Sequence, residues 1–100
     1  MRPREAAVLD RLRGLLVDAL AVDPEAVVPE AKIMDDLDAE SIDLMDLRFR
    51  IEKEFGIRIT ADQLTAAFRG VESAQEFRAR FTVAALRDYV EGRLEELDET

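Results

Sequence analysis

The chain has 100 residues, 48% of them apolar, with 23 Asp and Glu against 14 Lys and Arg for a formal charge of −9, and it contains neither Cys nor His. So short a chain fills one hydrophobic core, and a single domain over residues 1–100 is expected. Without Cys there is no disulfide or thiolate site, without His no serine triad assembles, and the acidic excess disfavours nucleic-acid phosphates while favouring partners with basic protein patches.

From Arg4 to Ala21, Val8, Leu9, Leu12, Leu15, Leu16, Ala19 and Leu20 recur at helical spacing between charged residues, which predicts a first amphipathic helix. Asp23-Pro24-Glu25 combines a capping side chain, a proline with preset φ and an acid at the positive helix end, so a short helical turn is expected before Pro29. Residues 29–38 read as a long loop whose Ile33, Met34 and Leu37 are apolar enough to lie across a bundle. The second strong helix runs from about Ser41 to Phe55 through Ile42, Met45, Leu47, Phe49 and Ile51, and Gly56 supplies its stop.

Ile57-Arg58-Ile59 is an extended connector. Thr60-Ala61-Asp62-Gln63 has the capping-box pattern, in which a hydroxyl and a glutamine satisfy free backbone amides; it starts a third helix carrying Leu64, Ala67 and Phe68 and closing at Gly70. Ser73-Ala74-Gln75-Glu76 repeats that pattern before Phe77 and Phe81, and Thr82 caps a last helix containing Val83, Leu86, Tyr89, Val90, Leu94 and Leu97. Residues 4–94 form the expected core unit, with an acidic end, 95–100, that frays. The fold class is all-α: a small bundle of four main helices with a long first loop and an extra helical segment. The apolar runs are too short to span a bilayer and no secretory segment is visible, so a cytoplasmic protein is expected, and a monomer.

Ser41 stands where loop gives way to helix, within Asp38-Ala39-Glu40-Ser41-Ile42-Asp43-Leu44-Met45-Asp46. A serine in that position commonly caps the helix. Ringed by carboxylates and with no base to activate it, its hydroxyl is poorly placed as a nucleophile of the chain's own but well placed for modification by another enzyme. Asp36, Asp38 and Glu40 alternate like the start of a calcium loop, yet Ser41 occupies the position that needs glycine and Leu47 the one that needs a bidentate glutamate, so no metal site is assigned.

Three stretches, Val22 to Ile33, Asp36 to Asp43 and Glu52 to Ile59, together with Thr82 to Leu94, resemble the acyl carrier protein family. In that family the serine of an Asp-Ser-Leu motif carries 4′-phosphopantetheine, and Glu40-Ser41-Ile42 is the matching triplet here. The resemblance implies that Ser41 is the attachment site, modified from coenzyme A by a phosphopantetheinyl transferase. It also implies a non-catalytic chain that holds acyl intermediates as thioesters in fatty acid, specialised lipid or polyketide biosynthesis. Its expected partners are that transferase, a ketoacyl synthase and other acyl-transfer enzymes with basic patches, along with the acyl chains themselves. Asp38, Glu40, Ile42, Asp43, Met45 and Asp46 are the residues expected to dock them, the acids steering and the apolar side chains gripping. A peptidyl or aminoacyl carrier uses the same arm, and an unmodified acidic helical adaptor keeps the same fold.

Two features depart from the family pattern. The glycine usual three residues before the serine is Asp38, which either reshapes the loop backbone or caps the helix. About residues 66–81 form a segment that ordinary members lack; its Phe68, Phe77 and Phe81, interleaved with Arg69, Arg78 and Arg80, suggest extra core, a larger pocket or an added docking surface.

Overall fold

A computed structural model describes residues 3–98, apart from the side chains of 61, 64 and 65, so the core role expected of Leu64 lies outside the described residues. The chain is all-α: α1 (Pro3–Leu20), α2 (Ser41–Phe55), α3 (Ala61–Ala67), α4 (Ala74–Arg80) and α5 (Val83–Asp98), with a 3₁₀ turn at Pro24–Ala26. Helix α4 lies within the stretch, about 66–81, that departs from the family pattern in sequence. Helix α1 packs against both α2 and α5. Its Val8, Leu9, Leu12, Leu15 and Leu16 form one buried stripe, facing Leu47, Ile51 and Phe55 of α2 and Val83, Leu86 and Val90 of α5 within a single cluster.

The helix ends follow local chemistry. Gly56 closes α2 at φ 66°, a left-handed conformation that costs glycine nothing, and its N–H donates to the Glu52 carbonyl at 2.9 Å. At α3 the capping box is reciprocal: the Gln63 N–H donates to Thr60 Oγ1 at 3.2 Å and the Thr60 N–H to Gln63 Oε1 at 2.9 Å. At α4 only half of it forms. The Glu76 N–H donates to Ser73 Oγ at 3.0 Å, but the Glu76 carboxylate accepts from Glu72, one residue earlier than a box requires. Thr82 caps α5 by accepting from the Ala85 N–H at 3.1 Å. The acidic end expected to fray is helical through Asp98, where Arg4 of α1 pairs with the Asp98 carboxylate; residues 99 and 100 lie outside the described residues.

The long loop belongs to the core. Ile33 is 0% exposed, and Val27, Ala31, Leu37 and Ala39 are buried with it. Backbone hydrogen bonds tie it to the start of α5: the Ile33 N–H donates to the Phe81 carbonyl at 3.0 Å, the Val83 N–H to the Ala31 carbonyl at 2.9 Å and the Ala84 N–H to the Pro29 carbonyl at 2.9 Å. A buried loop must satisfy its backbone polar groups somewhere, and here the α4–α5 junction does it.

Phe49 differs from its expected place among the apolar residues of α2. It is 63% exposed, because Leu47, Ile51 and Phe55 already take the inward face and residue 49 falls on the opposite side. Phe49→Ser is therefore expected to change the unfolding free energy by less than about 0.5 kcal/mol in urea titration. A loss of about 3 kcal/mol or more, as for a core phenylalanine, would contradict this placement.

Candidate functional site

The approach to Ser41 is set by alternating burial. Leu37 and Ala39 point into the core, leaving Asp38 between them exposed, and the Ala39 N–H donates to the Ile33 carbonyl at 3.2 Å. Asp38 has φ 59°. The residue standing where the family pattern has glycine thus adopts the left-handed conformation that glycine favours, which aspartate tolerates better than most L-residues. Of the two roles open to Asp38, it takes the backbone one and does not cap α2. Asp38→Gly is expected to raise stability by up to about 1 kcal/mol through release of this conformational cost, as read by denaturant midpoint. A fall in the midpoint would mean that the Asp38 side chain, rather than its φ, matters to the fold.

Glu40 is the residue that caps α2, in extended conformation. Its N–H donates to Asp43 Oδ2 at 2.8 Å, and the Asp43 N–H donates back to the Glu40 carbonyl at 2.9 Å. Ser41 consequently enters the helix as its first residue instead of serving as its cap, a correction to the commonest reading of a serine there. It is exposed, and no side-chain hydrogen bond among the described residues uses its hydroxyl. The hydroxyl sits at the positive end of a 15-residue helix, where free backbone N–H groups favour an attached anion.

The expected docking residues divide by what they already touch. Ile42 and Met45 are 72% and 66% exposed, and with Phe49 they make an apolar stripe at helical spacing on the outer face of α2. Asp38 and Glu40 are exposed and form no ion pair with a described residue. Asp43 is half-buried and committed to the helix start. Asp46 is exposed but its carboxylate lies 2.7 Å from Arg50 Nε. Arg50 therefore neutralises part of the acidic face, and Arg48 is 3.9 Å from Glu52.

Beside α2, between its exposed flank and α5, lies a cavity of about 510 Å³, within the ~300–1,000 Å³ range usual for small-molecule sites. Leu44 and Met45, three and four residues beyond Ser41 and hence on its side of the helix, line one part of it. The segment between α3 and α5 supplies a wall of three phenylalanines, Phe68, Phe77 and Phe81. Their ring centroids are 4.9 Å apart for Phe68–Phe77, 5.1 Å for Phe77–Phe81 and 5.8 Å for Phe68–Phe81. The extra segment thus both extends the core and encloses space. Arg78 and Arg80 point to acids, Asp35 at 3.3 Å and Glu76 at 3.7 Å. Leu44 was not singled out in the sequence, although its position one turn beyond Ser41 marks it.

An exposed hydroxyl on a helix N-terminus, one turn from an apolar cavity, fits a phosphodiester-linked arm and its apolar cargo. A family model described as "Phosphopantetheine attachment site" matches residues 10–77. The chain is 36% identical over 73 residues to an acyl carrier protein of Thermosynechococcus vestitus, covering 73% of this chain and 89% of that one. It is 35% identical over 75 residues to acyl carrier protein AcpXL of Rhizobium meliloti, covering 74% and 79%, and 45% identical over 53 residues to an acyl carrier protein of Campylobacter curvus, covering 53% and 69%. With hydroxyl, helix terminus, cavity and these likenesses together, the chain belongs to the acyl carrier protein family, whose prosthetic group is covalently attached 4′-phosphopantetheine.

Proposed function

We propose that Ser41 is the attachment residue and that the chain, itself non-catalytic, carries acyl intermediates in cytoplasmic fatty acid, specialised lipid or polyketide biosynthesis. The observation that supports this is an exposed Ser41 hydroxyl, relieved of capping duty by Glu40 and Asp43, at the N-terminus of α2. In the loading step the Ser41 oxygen forms a bond to the phosphorus of coenzyme A nearest the pantetheine. The pyrophosphate P–O bond breaks, the adenosine bisphosphate leaves with the electron pair, and the serine proton passes to a base of the transferase. Once attached, the arm supplies a terminal thiol that holds acyl groups as thioesters.

The chain's own residues then position and present. The amides opening α2 favour the phosphodiester, while Asp38 and Glu40 oppose a further anion and instead face outward toward cationic partner surfaces. Ile42 and Met45 give those partners an apolar grip whose electrostatic part is screened by salt, so encounters are brief. Among the described residues no helix is long and apolar enough to cross a membrane. Incubation with a broad-specificity phosphopantetheinyl transferase, Mg²⁺ and coenzyme A tests the proposal by intact mass. An increase of one phosphopantetheine on Ser41 supports it; unchanged mass with several transferases favours an unmodified acidic adaptor.

A further inference from the structure

We propose that the cavity beside α2 is built for an acyl group that carries an oxygen at its far end, with the Tyr89 hydroxyl as the group that recognises it. This rests on the attachment of the arm at Ser41. The cavity has a direction. Leu44 and Met45 lie one turn beyond Ser41, and the three phenylalanines form the wall; Tyr89 of α5 lines the cavity toward the other end of α2, where Glu52 acts on its phenol and Arg93, one turn on, donates to the Arg58 carbonyl just past Phe55. Tyr89 and Ala67 also line a second cleft, of about 350 Å³, together with the polar side chains of Gln63, Asp88, Arg93 and Glu96. Tyr89 therefore stands between the apolar cavity and an open cleft edged by polar side chains.

Two donors there lack an acceptor among the described residues: Tyr89 Oη and Arg93 Nε are buried side-chain polar atoms with no hydrogen-bond partner among them. They stand four residues apart on α5 and so share one face of it. The remaining nitrogens of Arg93 are occupied, Nη1 by Glu96 and Nη2 by the Arg58 carbonyl at 3.3 Å. Burial pushes the Tyr89 phenol above its ordinary pKa, with Arg93 acting in the opposite direction and Glu96 and Glu52 adding to the rise. At neutral pH the phenol keeps its proton and remains a donor.

Buried donors without acceptors are costly, and native interiors rarely keep them without reason. A plain alkyl chain filling the cavity would leave Tyr89 Oη as it is. A keto or hydroxyl oxygen at the distal end of the chain would accept its proton, and an oxygen reaching past Tyr89 would meet Arg93 Nε as well. The apolar wall accepts the body of the chain and Tyr89 reads its end, so the cargo class is a distally oxygenated acyl group.

The test loads the holo-protein with two acyl groups of equal length, a plain alkanoyl and one with a keto group near its terminus. Both are made with wild type and with Tyr89→Phe, and intact mass verifies each loading. In wild type the keto chain is expected to raise the thermal midpoint by about 4–8 °C more than the plain chain, the shift that one net hydrogen bond gives a domain of this size. In Tyr89→Phe that difference disappears while the response to the plain chain stays. Equal midpoints for the two cargoes in wild type, or a difference that persists in Tyr89→Phe, would overturn the proposal and leave the carrier reading intact. Failure to load at Ser41 shows in the mass before any melting is measured, and overturns both.

Discussion

Ser41→Ala is expected to take up no mass from coenzyme A under conditions that convert wild type fully, while its unfolding free energy stays within about 0.5 kcal/mol of wild type. The two halves come from one geometry. Removing the hydroxyl removes the only group proposed to bond to phosphorus, so loss of loading is complete rather than partial. Stability is spared because the Ser41 side chain is exposed and the start of α2 is held by Glu40 and Asp43. Had Ser41 been the cap, alanine would have cost about 0.5–2 kcal/mol. Ser73, the other serine of the chain, provides the mirror experiment. Its hydroxyl caps α4 by accepting from the Glu76 N–H at 3.0 Å, so Ser73→Ala should weaken the fold by about 1 kcal/mol and load normally. Retained loading in Ser41→Ala would refute the assignment.

Ile33→Ala is the second large effect, an expected loss of about 2–5 kcal/mol in urea unfolding with an unchanged m-value. That is a large share of the ~5–15 kcal/mol typical of a domain. Ile33 lies in a loop, where substitutions are usually mild, yet it is 0% exposed and its removal leaves a cavity among core side chains. Its backbone bridges two places at once, donating to the Phe81 carbonyl at 3.0 Å and accepting from the Ala39 N–H at 3.2 Å. Loosening it releases the turn that carries Asp38 to Ser41, so the efficiency of phosphopantetheine transfer should fall along with stability. A cost below about 1 kcal/mol would show that the loop covers the bundle without belonging to it.

Several elements were legible because their cause is local. The Thr60–Gln63 box, the Ser73 and Thr82 caps and the stop at Gly56 each involve residues at most four apart, so the residue types alone indicate the bond. The inward faces of α1 and α5 follow from apolar periodicity in the same way. Phe49 was not legible as an outward residue, because its hydrophobicity matches the core and only its angle relative to Leu47 and Ile51 sets it outside. Nor was the capping role of Glu40, since the commonest cap in the segment by residue type is Ser41 and the choice between them turns on where Asp43 points. In sequence, Asp38 departs from the family pattern. Its φ of 59° shows the pattern's backbone retained with a different side chain.

By itself, the sequence determined that this chain is acidic and all-α, conclusions that depend on residue type, charge and spacing within single helices; its resemblance to the acyl carrier proteins is what implied a carrier and singled out the Ser41 hydroxyl. Tertiary structure alone decided how deeply the long loop is buried and what ties its backbone down, that the segment before α5 folds three phenylalanines into the wall of a cavity, and that Tyr89 stands between that cavity and a polar-edged cleft with no partner for its hydroxyl among the described residues. The reason is physical: these are relations between residues tens of positions apart, and which of many apolar or polar side chains meet is settled by packing of the whole bundle, not by any one stretch of chain.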